Sequence, residues 1–157
     1  MDILVAIDFS ESQKKILEHA RCYANAFSAK LWILHVAQQS GMDMLPYDPN
    51  TDYFVYDINS QEIRNDLAKH FHNEHQQLQT LAQEFRDDGF DATALLIQGD
   101  PIKIILSQAE RLRVDLLIIG SHGHGKLYQL VMGSISEEVL HSAKCPMLIV
   151  PSRENAR

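Results

Sequence analysis

The sequence is poor in cysteine and has no long apolar run. Its two cysteines, Cys22 and Cys145, lie far apart and form no C-x-x-C or metal-type spacing, so neither a disulfide scaffold nor a zinc module is indicated. No stretch approaches the roughly 20 apolar residues that a membrane span needs. The first apolar run, residues 3–7, is too short for a signal peptide and lacks a basic flank. We therefore expect a cytoplasmic protein that does not enter a membrane.

Positive charge is also scarce. The 157 residues carry 14 basic and 21 acidic side chains, which gives a formal net charge of −7 at pH 7. Nucleic-acid backbones and anionic membranes attract basic patches, so this balance argues against both as main partners. Because 45% of the residues are hydrophobic and 22% are charged, the chain can bury a core. We expect residues 1–157 to form a single domain.

Five short apolar runs alternate with segments of helical periodicity. The predicted strands are residues 3–7, 31–37, 91–98, 114–120 and 146–151. One predicted helix opens at Ser10, with Gln13 as a capping-box partner, and the others cover 59–88, 101–113 and 134–142. Strands that alternate with helices pair in parallel through right-handed crossovers. We therefore expect an α/β fold, a doubly wound, Rossmann-like open sheet with helices on both faces.

For two regions of this predicted domain, the sequence leaves open what they pack against. Residues 38–57 are predicted to form a long irregular loop, rich in aromatic residues. This loop would pack either on its own domain or on a ligand or partner subunit. The last strand lies between Pro146 and Pro151, which places it at a sheet edge because proline donates no ladder hydrogen bond. A second copy of the chain can cover this apolar edge, or the C-terminal tail can fold over it.

Glycines follow the fourth strand with the spacing G-x2-G-x9-G-S, from Gly120 through Gly123 to Gly133 and Ser134. Glycine permits positive φ and lets backbone N–H groups approach an anion closely. Ser134 can begin a helix whose N-terminus suits a phosphate, or it can simply form a capping box with Glu137. We interpret the motif as a phosphate cradle.

An acidic residue, Asp8, ends the first strand. If that strand is central, with strands 2 and 3 on one side and 4 and 5 on the other, the strand order reverses between strands 1 and 4, where open α/β sheets bind ligands. A carboxylate there can accept hydrogen bonds from ribose hydroxyls while the glycine loop takes the phosphates. The alternatives for Asp8 are a helix cap or a solvated carboxylate.

The sequence resembles the universal stress protein family over nearly its whole length. The resemblance rests on ILVAIDFSE at the N-terminus, GDP before a helix, LLIIGSHGHG, the GS pair and CPMLIVP near the end. It implies a five-stranded domain of strand order 3-2-1-4-5, which is usually a homodimer joined through its final strands, here residues 147–150. In the family's ATP-binding branch, the glycine motif holds the nucleotide.

Carried over by position, the resemblance implies a role for each residue of the motif. Asp8 and Gly120 would meet the ribose, and Val36, at the end of strand 2, would lie near the adenine. The phosphates would contact Gly123, Gly133 and Ser134, with Ser121, His122 and His124 on the same loop.

The sequence departs from many ATP-binding relatives just after the second glycine. Where those relatives read R-[ST]-G-L-x-R, this chain has His124 and Gln129 in place of the two arginines, and Lys126 in place of a glycine. A triphosphate needs more compensating charge than a monophosphate. AMP or ADP can therefore compete with ATP, and a bound triphosphate would bring Mg²⁺ with it.

Histidines are numerous, but they indicate no metal site. His72 and His75 can share a face of the long helix, as can His70 and Glu74, yet no further ligand completes a set. His122 and His124 could strengthen phosphate binding when protonated.

The motif also contains no Walker A lysine and no nucleophile elbow. We expect a nucleotide-binding sensor or regulatory module with at most slow ATP hydrolysis. The alternatives are a nucleotide-independent dimeric interaction protein and a slow ATPase.

Overall fold

The computed structural model describes residues 1–10, 12–37, 61–121 and 133–151, and for 61–68 and 70 it describes the backbone alone. Strands and helices alternate along these residues as predicted, with small differences at their ends. The elements are β1 Asp2–Ile7, α1 Gln13–Phe27, β2 Lys30–Ala37, α2 Gln61–Asp87, β3 Ala92–Gln98, α3 Pro101–Leu112, β4 Leu116–Gly120, α4 Ser134–Ser142 and β5 Met147–Val150.

The five strands form one parallel sheet with the order β3-β2-β1-β4-β5, which confirms the predicted topology. The chain first moves outward from β1 through β2 to β3 and then returns to the other side of β1. In the register, Ile7 lies opposite His35 of β2, and Val5 lies opposite Ile118 of β4. The strand order therefore reverses between β1 and β4, and a crevice is expected at their carboxyl ends.

Helices cover both faces of the sheet, because successive residues of each strand point to opposite sides. Val5 and Ile33 pack with α1 and α2, whereas Leu4 and Leu34 pack with α3 and α4. Both layers are apolar, and every residue of β1 from Ile3 to Ile7 is buried. This explains why β1 is a continuous apolar run rather than an alternating one.

The start of α1 differs from the prediction. Ser12 precedes the helix without a side-chain cap, so the capping box predicted for Ser10 and Gln13 is wrong. The backbone N–H of Ser10 instead donates to Asp8 Oδ1 at 3.0 Å, and the Ser10 and Ser12 hydroxyls hydrogen-bond to each other at 2.7 Å. The nearby carboxylate therefore replaces the helix cap as the local partner of Ser10.

The starts of α3 and α4 also differ from each other. Asp100 caps α3, because its Oδ1 accepts hydrogen bonds from the N–H groups of Ile102 and Lys103. Before α4, Gly133 occupies the cap position and, as a glycine, supplies no side-chain cap. Ser134 is thus the first helical residue, as predicted, and it does not serve as the cap of a capping box with Glu137.

The remaining fold predictions have different outcomes. β5 is an edge strand, as the flanking prolines predicted, with β4 on its inner side. The loop predicted for residues 38–57 lies outside the described residues. Among the described helices, none combines the length and the apolarity that crossing a membrane would require.

Candidate functional site

The carboxyl ends of β1 and β4 bring five of the predicted site residues to one region of the sheet. We call this region the strand-end crevice and define it by Asp8, Gly120, Ser121, Gly133 and Ser134. The β1–β4 register, continued beyond the pair of Val5 with Ile118, places the end of β1 level with the end of β4. Neighbouring strands lie about 4.8 Å apart, so the residues that follow these two strands face a common space.

The β1 side of the crevice is a tight turn that carries Asp8. Asp8 is half-buried, its Oδ1 accepts the Ser10 N–H, and its Oδ2 is buried. Between them, Phe9 has φ of 56°, in the left-handed region that aromatic side chains rarely adopt. Backbone strain of this kind persists only where surrounding contacts impose it, and it is concentrated at functional sites.

The β4 side joins three segments through short hydrogen bonds. The Ser121 N–H donates to Val150 O, and the Gly133 N–H donates to Ser121 O, both at 2.8 Å. The hydroxyl of the buried Ser136 donates to Gly120 O at 2.7 Å. These bonds fix the first turn of α4 against the end of β4. The positive end of the helix dipole therefore lies at the crevice.

The glycines of the crevice do not use the conformational freedom that the sequence suggested. Among the described glycines, positive φ occurs at Gly89 and Gly99, whereas Gly133 has φ of −58°. Gly120 and Gly133 therefore do not adopt the positive φ that glycine permits. Gly120 is a buried strand residue. What it contributes is the absence of a side chain at the strand end, where the Ser136 hydroxyl reaches its carbonyl oxygen.

The structure describes only some of the other predicted site residues. Val36 is half-buried at the end of β2 and packs against the apolar layer under α3 and α4. Because Ile7 lies opposite His35, the β1–β2 register continued by one residue places Val36 level with Asp8. Ser134 is exposed on the first turn of α4. His122, Gly123 and His124 lie outside the described residues.

A buried histidine next to the crevice was missed by the sequence reasoning. His35 Nδ1 lies 2.9 Å from Ile7 O, and its ring centroid is 4.4 Å from that of Phe9. Its Nε2 lies 3.4 Å from Oε1 of Glu74 on α2. Glu74 therefore reaches from α2 to His35 on β2. A histidine within the apolar run LWILHVA was the available signal.

Two other features of α2 do not form part of the crevice. His72 Nε2 is 3.0 Å from the side-chain nitrogen of Gln76, and no group of three metal-ligating side chains occurs among the described residues. An open groove of about 580 Å³ runs along α2, with Phe9 and Gln13 among its lining residues. Its lining includes no residue of the strand-end crevice.

The arrangement of the crevice fits a polyhydroxylated anion. A carboxylate on the β1 side accepts hydrogen bonds from hydroxyl groups, and a helix N-terminus on the β4 side attracts negative charge. The same pattern of strand order, acidic strand end and helix start occurs in nucleotide-binding α/β domains.

Comparison with known proteins gives the family. The family model described as "Universal stress protein family" matches residues 1–151. The chain belongs to the universal stress protein family. A curated relative, universal stress protein YxiE of Bacillus subtilis, is 31% identical over 153 residues, which cover 94% of this chain and 97% of the relative. Universal stress protein MJ0577 of Methanocaldococcus jannaschii is 28% identical over 160 residues, which cover 98% and 96% of the two chains.

Solved structures of the family share the fold. The structure of MJ0577 matches with a TM-score of 0.77 and 26% identity, covering 99% of this chain and 97% of that chain. A universal stress protein in complex with cAMP matches with a TM-score of 0.63 at 19% identity, over 98% of both chains. A family protein from Arabidopsis thaliana with AMP bound matches with a TM-score of 0.62 at 20% identity, over 99% of this chain and 94% of that chain.

Proposed function

We propose that this universal stress protein binds an adenine nucleotide in the strand-end crevice. The observation that carries the proposal is that the Asp8 turn and the N-terminus of α4, which follows Gly133, both lie where the strand order reverses. Two structural neighbours contain AMP or cAMP, which supports the same class of ligand. We infer that occupancy of the crevice makes the protein a cytoplasmic sensor or regulatory module.

Each described residue of the crevice has a defined part in this proposal. Asp8 accepts hydrogen bonds from the ribose hydroxyls, because an ionised carboxylate is an acceptor at both of its oxygens. Gly133 and Ser134 present the first turn of α4 to a phosphate. Gly120 and Ser121 leave room at the strand end, and Val36 contributes apolar contact to the adenine. Gly123, His122 and His124 are proposed as further phosphate contacts.

The charges of the crevice indicate how many phosphates of a bound nucleotide it can compensate. Within the described part of the crevice, Asp8 supplies negative charge, and the groups proposed to meet phosphate are backbone N–H groups and hydroxyls. Such groups compensate one phosphate more readily than three. We therefore propose that AMP and ADP bind at least as well as ATP, and that ATP binding requires Mg²⁺.

We also propose that the protein is a homodimer joined through β5, Met147–Val150. β5 is an edge strand, and Met147, Leu148 and Ile149 are only partly buried within one chain. An apolar edge in water promotes pairing with another chain. Sedimentation analysis should show a dimer for the wild-type protein and a monomer for Met147→Lys, which places a charge at the edge. A wild-type monomer would overturn this part of the proposal.

Calorimetric titration with AMP, ADP and ATP, with and without Mg²⁺, tests nucleotide binding. Asp8→Ala should weaken binding about 10- to 100-fold, because it removes charge-assisted hydrogen bonds. Asp100→Ala is the matched control, because Asp100 also lies between a strand and a helix at the carboxyl end of the sheet, but its carboxylate caps α3. The affinity of Asp100→Ala for nucleotide should equal that of the wild type.

The same experiment separates the alternatives. If the wild-type protein gives no binding heat with any nucleotide, it is a nucleotide-independent interaction protein and the proposal fails. If nucleotide is hydrolysed during overnight incubation and Asp8→Ala abolishes the hydrolysis, the protein is a slow nucleotide hydrolase. Binding without turnover supports the proposed sensor.

A further inference from the structure

We propose that His35 is a positioning residue for the strand-end crevice, which it serves by holding the turn that carries Asp8 and linking that turn to α2. This inference rests on the proposed nucleotide site. His35 itself lies on the other side of the sheet from Val36, its neighbour in β2, because adjacent strand residues point to opposite faces. It therefore acts through the turn rather than by touching the nucleotide.

The first contact of His35 orients the peptide that precedes Asp8. A carbonyl oxygen only accepts hydrogen bonds, so the 2.9 Å contact with Ile7 O requires the proton to be on Nδ1. The Ile7–Asp8 peptide unit is planar, and fixing its carbonyl also fixes the Asp8 nitrogen and Cα. His35 thereby sets the position from which the Asp8 side chain extends.

The second contact supports the strained residue of the turn. The imidazole ring packs against the Phe9 ring at 4.4 Å with an interplanar angle of 51°. Phe9 has φ of 56°, and a conformation of this kind is strained and persists only where neighbouring contacts hold it. The buried ring of His35 provides such a contact directly beneath the turn.

The third contact joins the turn to α2. With the proton on Nδ1, the other ring nitrogen faces the Glu74 carboxylate at 3.4 Å, and both side chains are largely buried. A carboxylate attracts this ring nitrogen only when Nε2 also carries a proton, because two facing lone pairs repel each other. In that form of the ring, its two nitrogens join Ile7 O to Glu74. A shift of α2 would therefore be transmitted to the Asp8 turn.

Two substitutions of similar size separate positioning from simple packing. His35→Asn places an amide N–H near the position of Nδ1 and can still donate to Ile7 O, whereas the longer His35→Gln side chain reaches towards Glu74 instead. Both variants lose the ring contact with Phe9. His75→Gln, at an exposed position on α2 next to Glu74, is the control for a general loss of histidine.

Two measurements should distinguish the variants. In calorimetry with AMP, the affinity of His35→Gln should be lower than that of the wild type by about fivefold or more, since the variant loses one buried hydrogen bond. His35→Asn should retain more than half of the wild-type affinity. In the nucleotide-free protein, hydrogen exchange of the Ser10 amide, which donates to Asp8 Oδ1, should accelerate in His35→Gln and stay near the wild-type rate in His35→Asn.

Equal losses in the Asn and Gln variants, or wild-type behaviour of His35→Gln, would overturn the inference. If the His35 variants fail to fold, Glu74→Gln retains the His35 side chain and removes only the charge that faces it. It should accelerate Ser10 exchange, and an unchanged rate contradicts the role of Glu74. If the wild-type protein binds no nucleotide, the proposed function fails, and Ser10 exchange alone then decides whether His35 positions the turn.

Discussion

The two ends of the parallel sheet differ in how their polar groups are used. At the amino end, the Asp2 N–H donates to Asp115 Oδ2 at 2.7 Å, and Trp32 Nε1 donates to Asp2 Oδ1 at 2.9 Å. The Asp115 N–H returns a bond to Asp2 O, and Lys30 lies over the Trp32 ring and 3.9 Å from Asp91. Charged and polar groups at this end are partners of one another.

At the carboxyl end, the polar groups hold backbone segments in place around a crevice. Asp8 closes a strained turn, Ser136 holds the end of β4, and the helix dipole of α4 points at the strand ends. His35 supports the turn from below. The polar groups at the amino end of the sheet thus pair with one another and stabilise the fold. The carboxyl end of the same sheet contains a strained backbone turn and the positive end of a helix dipole. Substitutions at the two ends should therefore separate stability from binding.

The largest effect is expected from Phe85→Ala, near the amino end. Phe85 is fully buried, and it packs against the Phe90 ring at 5.8 Å and the Arg21 guanidinium at 4.1 Å. Truncation should lower the free energy of unfolding by about 3–5 kcal/mol. Urea unfolding measures the loss, with the exposed Phe27→Ala as a near-neutral control. A weaker AMP affinity in the folded Phe85→Ala protein would contradict the expectation that substitutions at the amino end of the sheet change stability and not binding.

A smaller effect on stability, accompanied by an effect on binding, is expected from Ser136→Ala. The variant loses the buried hydrogen bond to Gly120 O that holds α4 against β4. The free energy of unfolding should fall by about 1–2 kcal/mol, and AMP affinity should fall because the helix N-terminus loosens. Ser107→Ala is the control, since the exposed Ser107 hydroxyl donates to Ile104 O within its own helix. Unchanged AMP affinity in Ser136→Ala contradicts the role of α4.

Asp2→Ala should destabilise the amino end and leave binding unchanged. It removes the acceptor for Trp32 Nε1 and should cost about 1 kcal/mol in the free energy of unfolding. Trp32 is the single tryptophan of the chain, so fluorescence follows both its local environment and unfolding. Asp91→Ala, which removes only an exposed contact with Lys30, should match the wild type. A change in AMP affinity in Asp2→Ala is the outcome that contradicts this prediction.

The smallest effect is expected from Glu110→Gln. Glu110 hydrogen-bonds to Lys144 and attracts its charge, and both effects raise the pKa of Lys144 above its ordinary value of 10.5. Any stabilisation is therefore complete below pH 10.5 and is lost as the pH rises further. Because both side chains are exposed, solvent screens the pair. The melting temperature of Glu110→Gln should equal that of the wild type from pH 6 to 9, and a reproducible difference contradicts this expectation.

Local patterns in the sequence predicted the fold more fully than they predicted the site. Apolar runs and helical periodicity located the strands and helices, because burial of a sheet on both faces leaves a strong signal in each strand. The site predictions correctly placed Asp8, Gly120 and Ser134 at strand and helix ends. The capping box at Ser10 failed because a side chain two residues away, Asp8, competed for the same N–H group.

The family, the alternation of strands and helices, and the location of the strand ends were determined by the sequence alone, since each is encoded in neighbouring residues. Only the tertiary structure decided that Ser136 meets Gly120 and that Glu74 faces His35. These contacts join residues far apart in the chain, and their geometry depends on how helices pack on the sheet. No periodicity within a single segment records that packing.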